Sequence, residues 1–370
     1  MKSVICLAHS RWSSDPERTQ HLMRLIEGAN IIYFELSVTD QASKCFLKKI
    51  DHESREPHPG VKIYRVPPIY FRGEGKSPLE KWTLKRAVSF INVRLQRLHV
   101  RDGLLWCATP LFADYVEQIQ HRGMVYDCYR SWDKYPAELE SRLAFDADVV
   151  FAASDNLMEH VSPCNRNTVL LPYGVHYDLL ARTQEQEIEL DPVIGELPKP
   201  VFGYLGTVKP ELQLRPMLKV AKEHPDWSFV IIGRVQRGHP EVEKLHRCKN
   251  VYVLGRRQPA DIPGCLAACD VCIDLLHNDI ADEDVVRDRI YVYFAAEKPV
   301  ACVYPRRYVP EFPDVIYGAH TDEEFEQCCL CAANELGHRK KMIRASYAKK
   351  ADWSNRAAVM NQVLRDNGLL

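Results

Sequence analysis

Glycine and arginine residues follow several short apolar runs in the second half of the chain. The run 201–205 leads into Gly206 and Thr207, and a glycine at such a turn lets backbone amides approach a ligand closely. Three arginines lie beyond later runs: Arg234, Arg256 and Arg289. Guanidinium groups offer charged, forked donors to phosphate oxygens. Each residue alone is typical of an ordinary turn or a solvated side chain, but together they predict a site for a nucleotide diphosphate.

Short apolar runs alternate with helical segments in both halves of the chain. Such runs predict parallel strands in a sheet that is covered on both faces. They comprise 4–8, 30–35, 104–108, 124–126 and 149–153, then 201–205, 228–232, 251–254, 271–275 and 300–303. The segments 145–150 and 268–273 resemble each other, since in each a helix ends in an aspartate that opens a buried strand. We therefore predict an α/β protein with two Rossmann-like domains.

Ligands of open parallel sheets bind outside the carboxyl ends of the strands. In the first half these ends include the segments 9–12 and 127–133, and we expect both to bind a ligand. The candidate residues there include Ser10, Arg11 and Arg130.

Length and composition suit a two-domain globular protein. The chain has 370 residues, of which 46% are hydrophobic and 27% are charged. An acidic, proline-rich stretch separates the two halves, which gives a first domain at 1–185, a linker at 186–200, a second domain at 201–345 and a final helix at 346–370. The formal net charge of −1 argues against a nucleic-acid partner.

The 13 cysteines are expected to be reduced thiols of a cytoplasmic protein, because no signal-peptide pattern precedes them. Cys265, Cys269 and Cys272 have the spacing of an iron–sulfur motif. However, the surrounding pattern predicts a helix that runs into a buried strand, where thiols usually serve packing. We therefore favour packing, and we expect no cofactor and no metal site.

Motifs in both halves resemble those of the group 1-type glycosyltransferases, in particular enzymes of teichuronic acid and exopolysaccharide assembly. The segment 289–300, Arg-Ile-Tyr-Val-Tyr-Phe-Ala-Ala-Glu-Lys-Pro-Val, is similar to their Lys-x-Tyr-Glu-Tyr-Leu-Ala-x-Gly-Lys-Pro-Val pattern. Further similar segments are 18–22, 125–128, 171–175 and 353–356. The resemblance implies the GT-B fold, in which two Rossmann-like domains face each other across an active cleft. It also implies a donor nucleotide on the second domain and a last helix that crosses back to the first.

The resemblance adds three residues to the donor side. Together with the residues after the apolar runs, the donor-binding candidates are Gly206, Thr207, Arg234, Arg256, Asp284, Arg289, Ile290 and Tyr291. Asp284 stands in the earlier acidic position of the related Glu-x7-Glu pattern. Val292 stands in the later one, where a glutamate would accept hydrogen bonds from the donor ribose, and valine cannot do so.

The first half departs from the related pattern as well. The related motif Tyr-Asp-Cys-x-Asp has an aspartate where this chain has Arg130, which cannot act as a general base. The remaining candidates for a catalytic base are His9, Asp127 and Asp133. The departures at Val292 and Arg130 leave two interpretations open. One is an active enzyme, and the other is a non-catalytic GT-B protein that acts as partner or scaffold for another glycosyltransferase.

The segment 76–101 predicts a basic amphipathic helix. It contains seven Lys or Arg residues and one acidic residue, Glu80, and its apolar residues have helical spacing. One interpretation is a core helix with a solvated basic face. The other is peripheral contact with anionic lipid at the inner face of the membrane, through Lys81, Lys85 and Arg86.

The leading hypothesis is a hexosyltransferase-like enzyme of cell-surface polysaccharide synthesis. It would move a sugar from a nucleotide-diphosphate donor to a saccharide or lipid-linked acceptor. The loops 9–11 and 127–133 would hold the acceptor, with Ser10, Arg11 and Arg130 as the acceptor-side candidates. The arginines of the second half would stabilise the diphosphate leaving group by electrostatic attraction.

Overall fold

A computed structural model describes residues 2–13, 16–46, 55–72, 77–210, 212–236, 238–275, 288–304 and 312–370. The chain divides into two compact units. Unit 1 comprises 1–172 and 354–370, and unit 2 comprises 173–353.

Unit 1 is built on a sheet of eight strands in the order β10-β9-β8-β7-β1-β2-β5-β4, and a small sheet pairs β3 with β6. Its strands are β1 Lys2–Ala8, β2 Ala29–Glu35, β3 Val38–Thr39, β4 Arg55–His58, β5 Val61–Arg65, β6 Ile69–Tyr70, β7 Leu104–Cys107, β8 Gly123–Cys128, β9 Val149–Ala152 and β10 Thr168–Leu170. Every described pair is parallel except β4 with β5, which is antiparallel.

The helices of unit 1 pack beside this sheet. They are α1 Arg18–Leu25, α2 Pro78–Arg97, α3 Ala137–Asp146, α4 Asp155–Val161 and the last helix, α13 Trp353–Asp366, with 3₁₀ segments at Ala42–Phe46 and Pro110–Gln118. The start of α2 follows from its sequence. Ser77 and Glu80 form a reciprocal capping box around Pro78, which satisfies backbone N–H groups of the first turn.

Unit 2 is built on six parallel strands in the order β13-β12-β11-β14-β15-β16. The strands are β11 Val201–Leu205, β12 Ser228–Ile232, β13 Val251–Val253, β14 Val271–Asp274, β15 Val300–Val303 and β16 Ile316–Ala319. The helices are α5 Tyr177–Ala181, α6 Pro192–Gly195, α7 Arg215–Glu223, α8 Val242–Arg247, α9 Ile262–Ala268, α10 Asp288–Ala295, α11 Asp322–Ala333 and α12 Arg339–Lys350, with 3₁₀ turns at Arg182–Gln184 and Pro259–Asp261.

The core of each unit lies on both faces of its sheet. In β1 the residues from Val4 to Ala8 are fully buried, and in β12 the residues from Phe229 to Ile231 are fully buried. Continuous burial of this kind is expected of parallel strands that are covered by helices on both sides. The two sheets confirm the predicted α/β class and the two Rossmann-like domains.

The segment 173–200 belongs to unit 2, whereas the sequence pattern assigned 173–185 to the first domain and 186–200 to a linker. Ile194 is fully buried in the core of unit 2. Asp191 caps α6 through the N–H groups of Val193 and Ile194, at 3.0 and 3.2 Å, and forms an ion pair with Arg257 at 3.0 Å. Because these contacts anchor it, a polar and proline-rich composition here marks a packed connection rather than a free linker.

Residues 354–370 belong to unit 1. The side-chain amide of Asn361 donates to the carbonyl oxygen of Leu25 at 2.9 Å, and its oxygen accepts from the N–H of Glu27 at 3.1 Å. The last helix is therefore tied to the end of α1. Among the described residues, no helix has the length and apolar character needed to cross a membrane.

Each sheet has a point at which its strand order reverses. In unit 1 the reversal lies between β1 and β7: the chain continues from β1 to β2 on one side of this point, and from β7 to β8 on the other. In unit 2 the reversal lies between β11 and β14. Crevices at the carboxyl ends of strands on either side of such a point are the usual ligand sites of open α/β sheets. These two places are therefore where we look for function.

Candidate functional site

A tight glycine turn lies at the reversal point of unit 2. Gly206 follows β11 with φ of 143°, a conformation that favours glycine. A Cβ on Gly233, which follows β12, would lie 1.9 Å from the carbonyl oxygen of Gly206, so only glycine fits there. Thr207, which follows Gly206, is exposed, and its backbone N–H has no acceptor among the described residues. The turn can thus present backbone to a ligand.

Arg289 places a positive charge beside this turn. Its Nη1 is 3.3 Å from Oδ1 of Asp274 at the end of β14, and its guanidinium lies 4.9 Å from the centre of the Tyr204 ring. The same Nη1 is 3.5 Å from where a Cβ on Gly206 would be. A largely buried guanidinium next to a glycine turn is an arrangement that can bind phosphate oxygens.

Tyr293 joins the two strands at the reversal point. Its hydroxyl donates to the carbonyl oxygen of Ile273 in β14 at 3.1 Å and accepts from the N–H of Leu205 in β11 at 2.9 Å. Burial raises the pKa of Tyr293 well above its usual value, so the hydroxyl stays protonated. Sequence reasoning did not single out this positioning residue. The signal was available, because it is the second tyrosine of the related Tyr-x-Tyr pattern.

The other donor-side candidates have different surroundings. Arg234 is exposed and has no partner among the described residues, and Arg256 is exposed near the end of the edge strand β13. Its neighbour Arg257 is a structural residue, since it pairs with Asp191 and donates to the carbonyl of Leu254 at 2.9 Å. Asp284 lies outside the described residues.

Helix α10 buries two of the predicted donor residues. Ile290 and Tyr291 are 5% and 6% exposed, and they belong to an apolar cluster of unit 2. The Tyr291 ring contacts the Phe312 ring edge to face at 6.0 Å. Val292 is half-buried and packs against the same cluster. In this structure the three side chains pack α10 onto the core and thereby position Arg289.

Asp127, a predicted catalytic base, is fully buried in β8. Its Oδ1 accepts from Nε and Nη2 of Arg18 at 3.1 and 2.9 Å, and the Arg18 side chain is itself 1% exposed. Burial raises the pKa of Asp127, and Arg18 opposes that rise. A carboxylate that is held inside the sheet and paired with arginine cannot reach a substrate. The prediction of a catalytic role for Asp127 is therefore at odds with its position, and we assign it a structural one.

Aromatic rings surround the end of β1 in unit 1. The His9 ring is 5.9 Å from the Trp132 ring, and the Tyr135 ring meets Trp132 edge to face at 5.3 Å. The Arg130 guanidinium lies 5.5 Å from the centre of the Trp132 ring. The structure thus brings together His9 and Arg130, which are 121 positions apart in the sequence. We call His9, Arg130, Trp132 and Tyr135 the His9 cluster.

His9 is the base candidate with the most suitable environment. Its side chain reaches solvent, but neighbouring atoms remove part of the hydration of the charged ring, which lowers the pKa of His9 from 6.5. The positive charge of Arg130 lowers this pKa further. The imidazole is therefore mainly neutral at pH 7 and able to accept a proton. Asp133 is exposed, and its Oδ1 accepts a hydrogen bond of 2.5 Å from Ser131.

The two remaining acceptor-side candidates flank His9. Ser10 makes a 3.0 Å hydrogen bond with the hydroxyl of Tyr33, and Arg11 is exposed. The N–H of Trp12 donates to Oε1 of the buried Glu35 at 3.0 Å, which holds the loop against the end of β2. The loop after β1 is therefore a fixed platform for His9.

The cysteine triplet of the iron–sulfur spacing serves packing. Cys265, Cys269 and Cys272 are all buried, and their thiols lie on α9, at its end and on β14. Cys269 approaches the carbonyl of Cys265 at 3.3 Å. No group of three or more His, Cys, Asp or Glu side chains is arranged for a metal ion in the part of the chain that the structure describes.

Comparison with known proteins places the chain beside glycosyltransferases. No protein-family model matches it. It is 22% identical over 292 residues, 72% of each chain, to the Bacillus subtilis (strain 168) protein named "Putative teichuronic acid biosynthesis glycosyltransferase TuaH". An α,α-trehalose-phosphate synthase (UDP-forming) from Burkholderia vietnamiensis superposes with a TM-score of 0.72 at 11% identity, covering 99% of this chain and 97% of the synthase. Anabaena Alr3699/HepE in complex with UDP superposes with a TM-score of 0.65 at 17% identity, covering 99% and 100%.

The chain has the GT-B fold, as predicted, because both solved structures match it over nearly its full length. Its sequence is similar to that of a teichuronic acid glycosyltransferase, which agrees with the resemblance found in the motifs.

Proposed function

We propose that the chain transfers a sugar from a uridine diphosphate sugar to a saccharide acceptor. Unit 2 binds the nucleotide and unit 1 binds the acceptor. The similarity to a named glycosyltransferase and the UDP complex of a structural neighbour support this proposal. The name of the relative also favours an acceptor that is a growing cell-surface polysaccharide.

The observation that carries the proposal is Arg289 beside the Gly206 turn. The turn offers the backbone of Thr207, and Arg289 offers a guanidinium held by Asp274 and Tyr204. Departure of a nucleoside diphosphate leaves negative charge on its phosphate oxygens. A fixed positive group at that place stabilises the transition state with little reorganisation.

Calorimetry with UDP, GDP and ADP tests this assignment. We expect UDP to bind the wild type, and Arg289→Gln to weaken binding by about 10- to 100-fold, the loss expected for one charged hydrogen bond. Arg247→Gln is the matched control, because Arg247 is 79% exposed on α8 and, among the described residues, forms an ion pair with Glu243 alone, at 3.7 Å. If no nucleoside diphosphate binds at millimolar concentration, the proposal fails.

In this proposal His9 serves as the general base or as a hydrogen-bond partner of the acceptor hydroxyl, since Asp127 is engaged by Arg18. A non-catalytic role as partner of another glycosyltransferase is the second candidate, and the apolar packing of Val292 favours it. Purified protein with UDP-sugars and oligosaccharide acceptors separates the two. Release of UDP that depends on acceptor supports the enzyme, whereas UDP binding without any turnover supports the partner role.

We also propose that α2 contacts an anionic membrane surface. Phe46 and Trp82 are 61% and 46% exposed and stack on each other at 5.8 Å, and Lys81 and Lys85 are exposed on the same helix. An aromatic pair next to lysines suits the boundary between headgroups and acyl chains. Arg86 lies over the Trp82 ring, 4.8 Å from its centre, and its Nη atoms donate to the carbonyls of Cys45 and Pro68 at 2.9 and 3.1 Å, so it supports the aromatic pair rather than offering a free charge.

Sedimentation with phosphatidylglycerol vesicles at low salt tests the membrane contact. Each lysine contributes about 1 kcal/mol near an anionic surface, so Lys81→Gln with Lys85→Gln should weaken binding by roughly 10-fold or more. The control pair is Lys222→Gln with Lys350→Gln, which removes the same charge from exposed positions of unit 2. Equal loss in both pairs would indicate attraction by net charge alone, and the α2 surface would be dismissed.

A further inference from the structure

We infer that the His9 cluster binds an oxyanion, so that the acceptor of this chain carries a carboxylate or a phosphate next to the sugar that is extended. This inference rests on the proposed function, because it names the class of acceptor for unit 1. It derives from Arg130, which replaces an acidic residue of the related motif with a positive charge.

Arg130 carries a charge that no residue in the described part of the chain neutralises. Its guanidinium forms no ion pair and no hydrogen bond with any residue that the structure describes, and its Nε is buried without a partner. A buried donor that lacks a partner costs free energy, and that cost is recovered when a ligand supplies the acceptor.

A second donor next to Arg130 is also unsatisfied. The indole N–H of Trp132 is buried and has no acceptor within the described part of the chain, and Trp132 is 6% exposed. The Arg130 guanidinium lies over the same indole ring, 5.5 Å from its centre. One ligand group with two or more acceptor oxygens could satisfy both donors, and carboxylates and phosphates have this property.

The field around the cluster favours an anion. The buried carboxylate three residues before Arg130, Asp127, is paired with Arg18. Asp133 is three residues from Arg130, yet its oxygen is bonded to Ser131 at the surface. After burial, the charge of Arg130 is the next cause that lowers the pKa of His9, so this charge reaches the neighbouring imidazole. The positive charge of Arg130 would attract an oxyanion there.

The structure favours an acceptor group over a phosphate of the donor. The glycine turn and Arg289 that suit the nucleotide diphosphate belong to unit 2, whereas the His9 cluster belongs to unit 1 at its own strand reversal. An anion bound beside His9 would also place a neighbouring hydroxyl of the same molecule within reach of the base. A uronic acid and a sugar phosphate share the chemistry required.

Nuclear magnetic resonance of the full chain tests the inference directly. The probes are glucuronate, glucose 6-phosphate, inorganic phosphate and neutral methyl glucoside, compared with sodium chloride at equal ionic strength. The reporter is the indole N–H signal of Trp132, which the substitution Trp132→Phe identifies. We expect at least one anionic probe to shift this signal with an affinity at least 10-fold above that of the neutral sugar. A stronger response to glucuronate indicates a carboxylate, and a stronger response to the phosphates indicates a phosphate.

Variants locate the charge. Arg130→Gln should weaken binding of the anionic probe by about 10- to 100-fold, and Arg130→Lys should retain part of it. Arg166→Gln is the control, because Arg166 is an exposed arginine of unit 1 without a described partner. If Arg130→Gln fails to fold, the preference of the wild type for anionic over neutral probes still tests the inference.

Two results would overturn the inference: no probe shifts the Trp132 signal beyond the effect of chloride, or the neutral sugar binds as tightly as the anions. Binding of UDP is measured in the same samples. Anion binding without UDP binding would leave this inference standing while the proposed function fails, and UDP binding without anion binding would do the reverse.

Discussion

The buried ion pair between Arg18 and Asp127 provides a sharp test of the structure. Their side chains are 1% and 0% exposed, and two nitrogens of Arg18 share Oδ1 of Asp127. Asp127→Ala would remove the buried carboxylate that lies against the Arg18 guanidinium. Loss of one partner of such a pair costs about 3–5 kcal/mol, a large part of the stability of a typical domain.

An exposed pair in the same unit supplies the control. Arg142 and Asp114 are also in contact, but their side chains are 57% and 47% exposed. Asp114→Ala should therefore cost no more than about 1 kcal/mol. The double variant Arg18→Met with Asp127→Leu should recover most of the loss, because an apolar pair needs no desolvation of charge.

The assay is hydrogen exchange of the amides in β8 and α1, followed by mass spectrometry under native conditions. It reports the opening of unit 1 without assuming that the two units unfold together. Equal effects of Asp127→Ala and Asp114→Ala would refute the argument, since the two pairs would then share the same exposure to water. Loss of turnover without loss of protection would instead restore Asp127 as a catalytic residue.

Three further predictions concern single side chains. A nuclear magnetic resonance titration should give His9 a pKa below 6.5, and this pKa should rise in Arg130→Gln. Because the pKa is lowered in the folded state, the stability that neutral His9 contributes is present above pH 6.5 and is lost as the pH falls through the folded-state pKa. A folded-state pKa of 6.5 or more would contradict the position of His9 beside Arg130. Tyr293→Phe should cost about 1–3 kcal/mol in thermal unfolding and weaken UDP binding, because the Leu205 N–H loses its acceptor; an unchanged melting temperature would exclude the bridge. Val292→Glu places a carboxylate at a half-buried position beside the apolar cluster of unit 2, and it should tighten UDP binding by about 10- to 100-fold where that carboxylate reaches the ribose. Unchanged affinity in a folded variant would mean that position 292 serves packing alone and lies away from the nucleotide.

The strands and their burial on both faces could be predicted from the sequence, because parallel strands buried on both faces appear as continuous apolar runs. All ten predicted runs overlap strands of the two large sheets, β1 and β11 among them. The boundary of the units was less accessible. Asp191 and Ile194 lie in a polar stretch that reads as a linker, and only their contacts with Arg257 and the core of unit 2 show otherwise.

The positions of the candidate site residues at strand ends could be predicted from the sequence, but the residues that contact them could not. Sequence placed Asp127 at a strand end, which is correct, and read it as a base. The residue that neutralises it, Arg18, is 109 positions away, and spacing in a sequence gives no measure of such a contact. The bridging hydroxyl of Tyr293 escaped notice for the same reason, since its one acceptor, the carbonyl of Ile273, and its one donor, the N–H of Leu205, come from different strands.

The change at position 130 has consequences beyond the loss of a carboxylate. An arginine cannot accept a proton, but its charge lowers the pKa of His9. A lower pKa leaves more of the imidazole neutral at pH 7, while it also makes each neutral imidazole a weaker base. An oxyanion bound to Arg130 would offset that charge and raise the pKa of His9 again. Binding of an anionic acceptor would thus strengthen the base at the moment when a hydroxyl needs it, and a neutral acceptor would not. The acceptor's charge would therefore govern turnover as well as affinity.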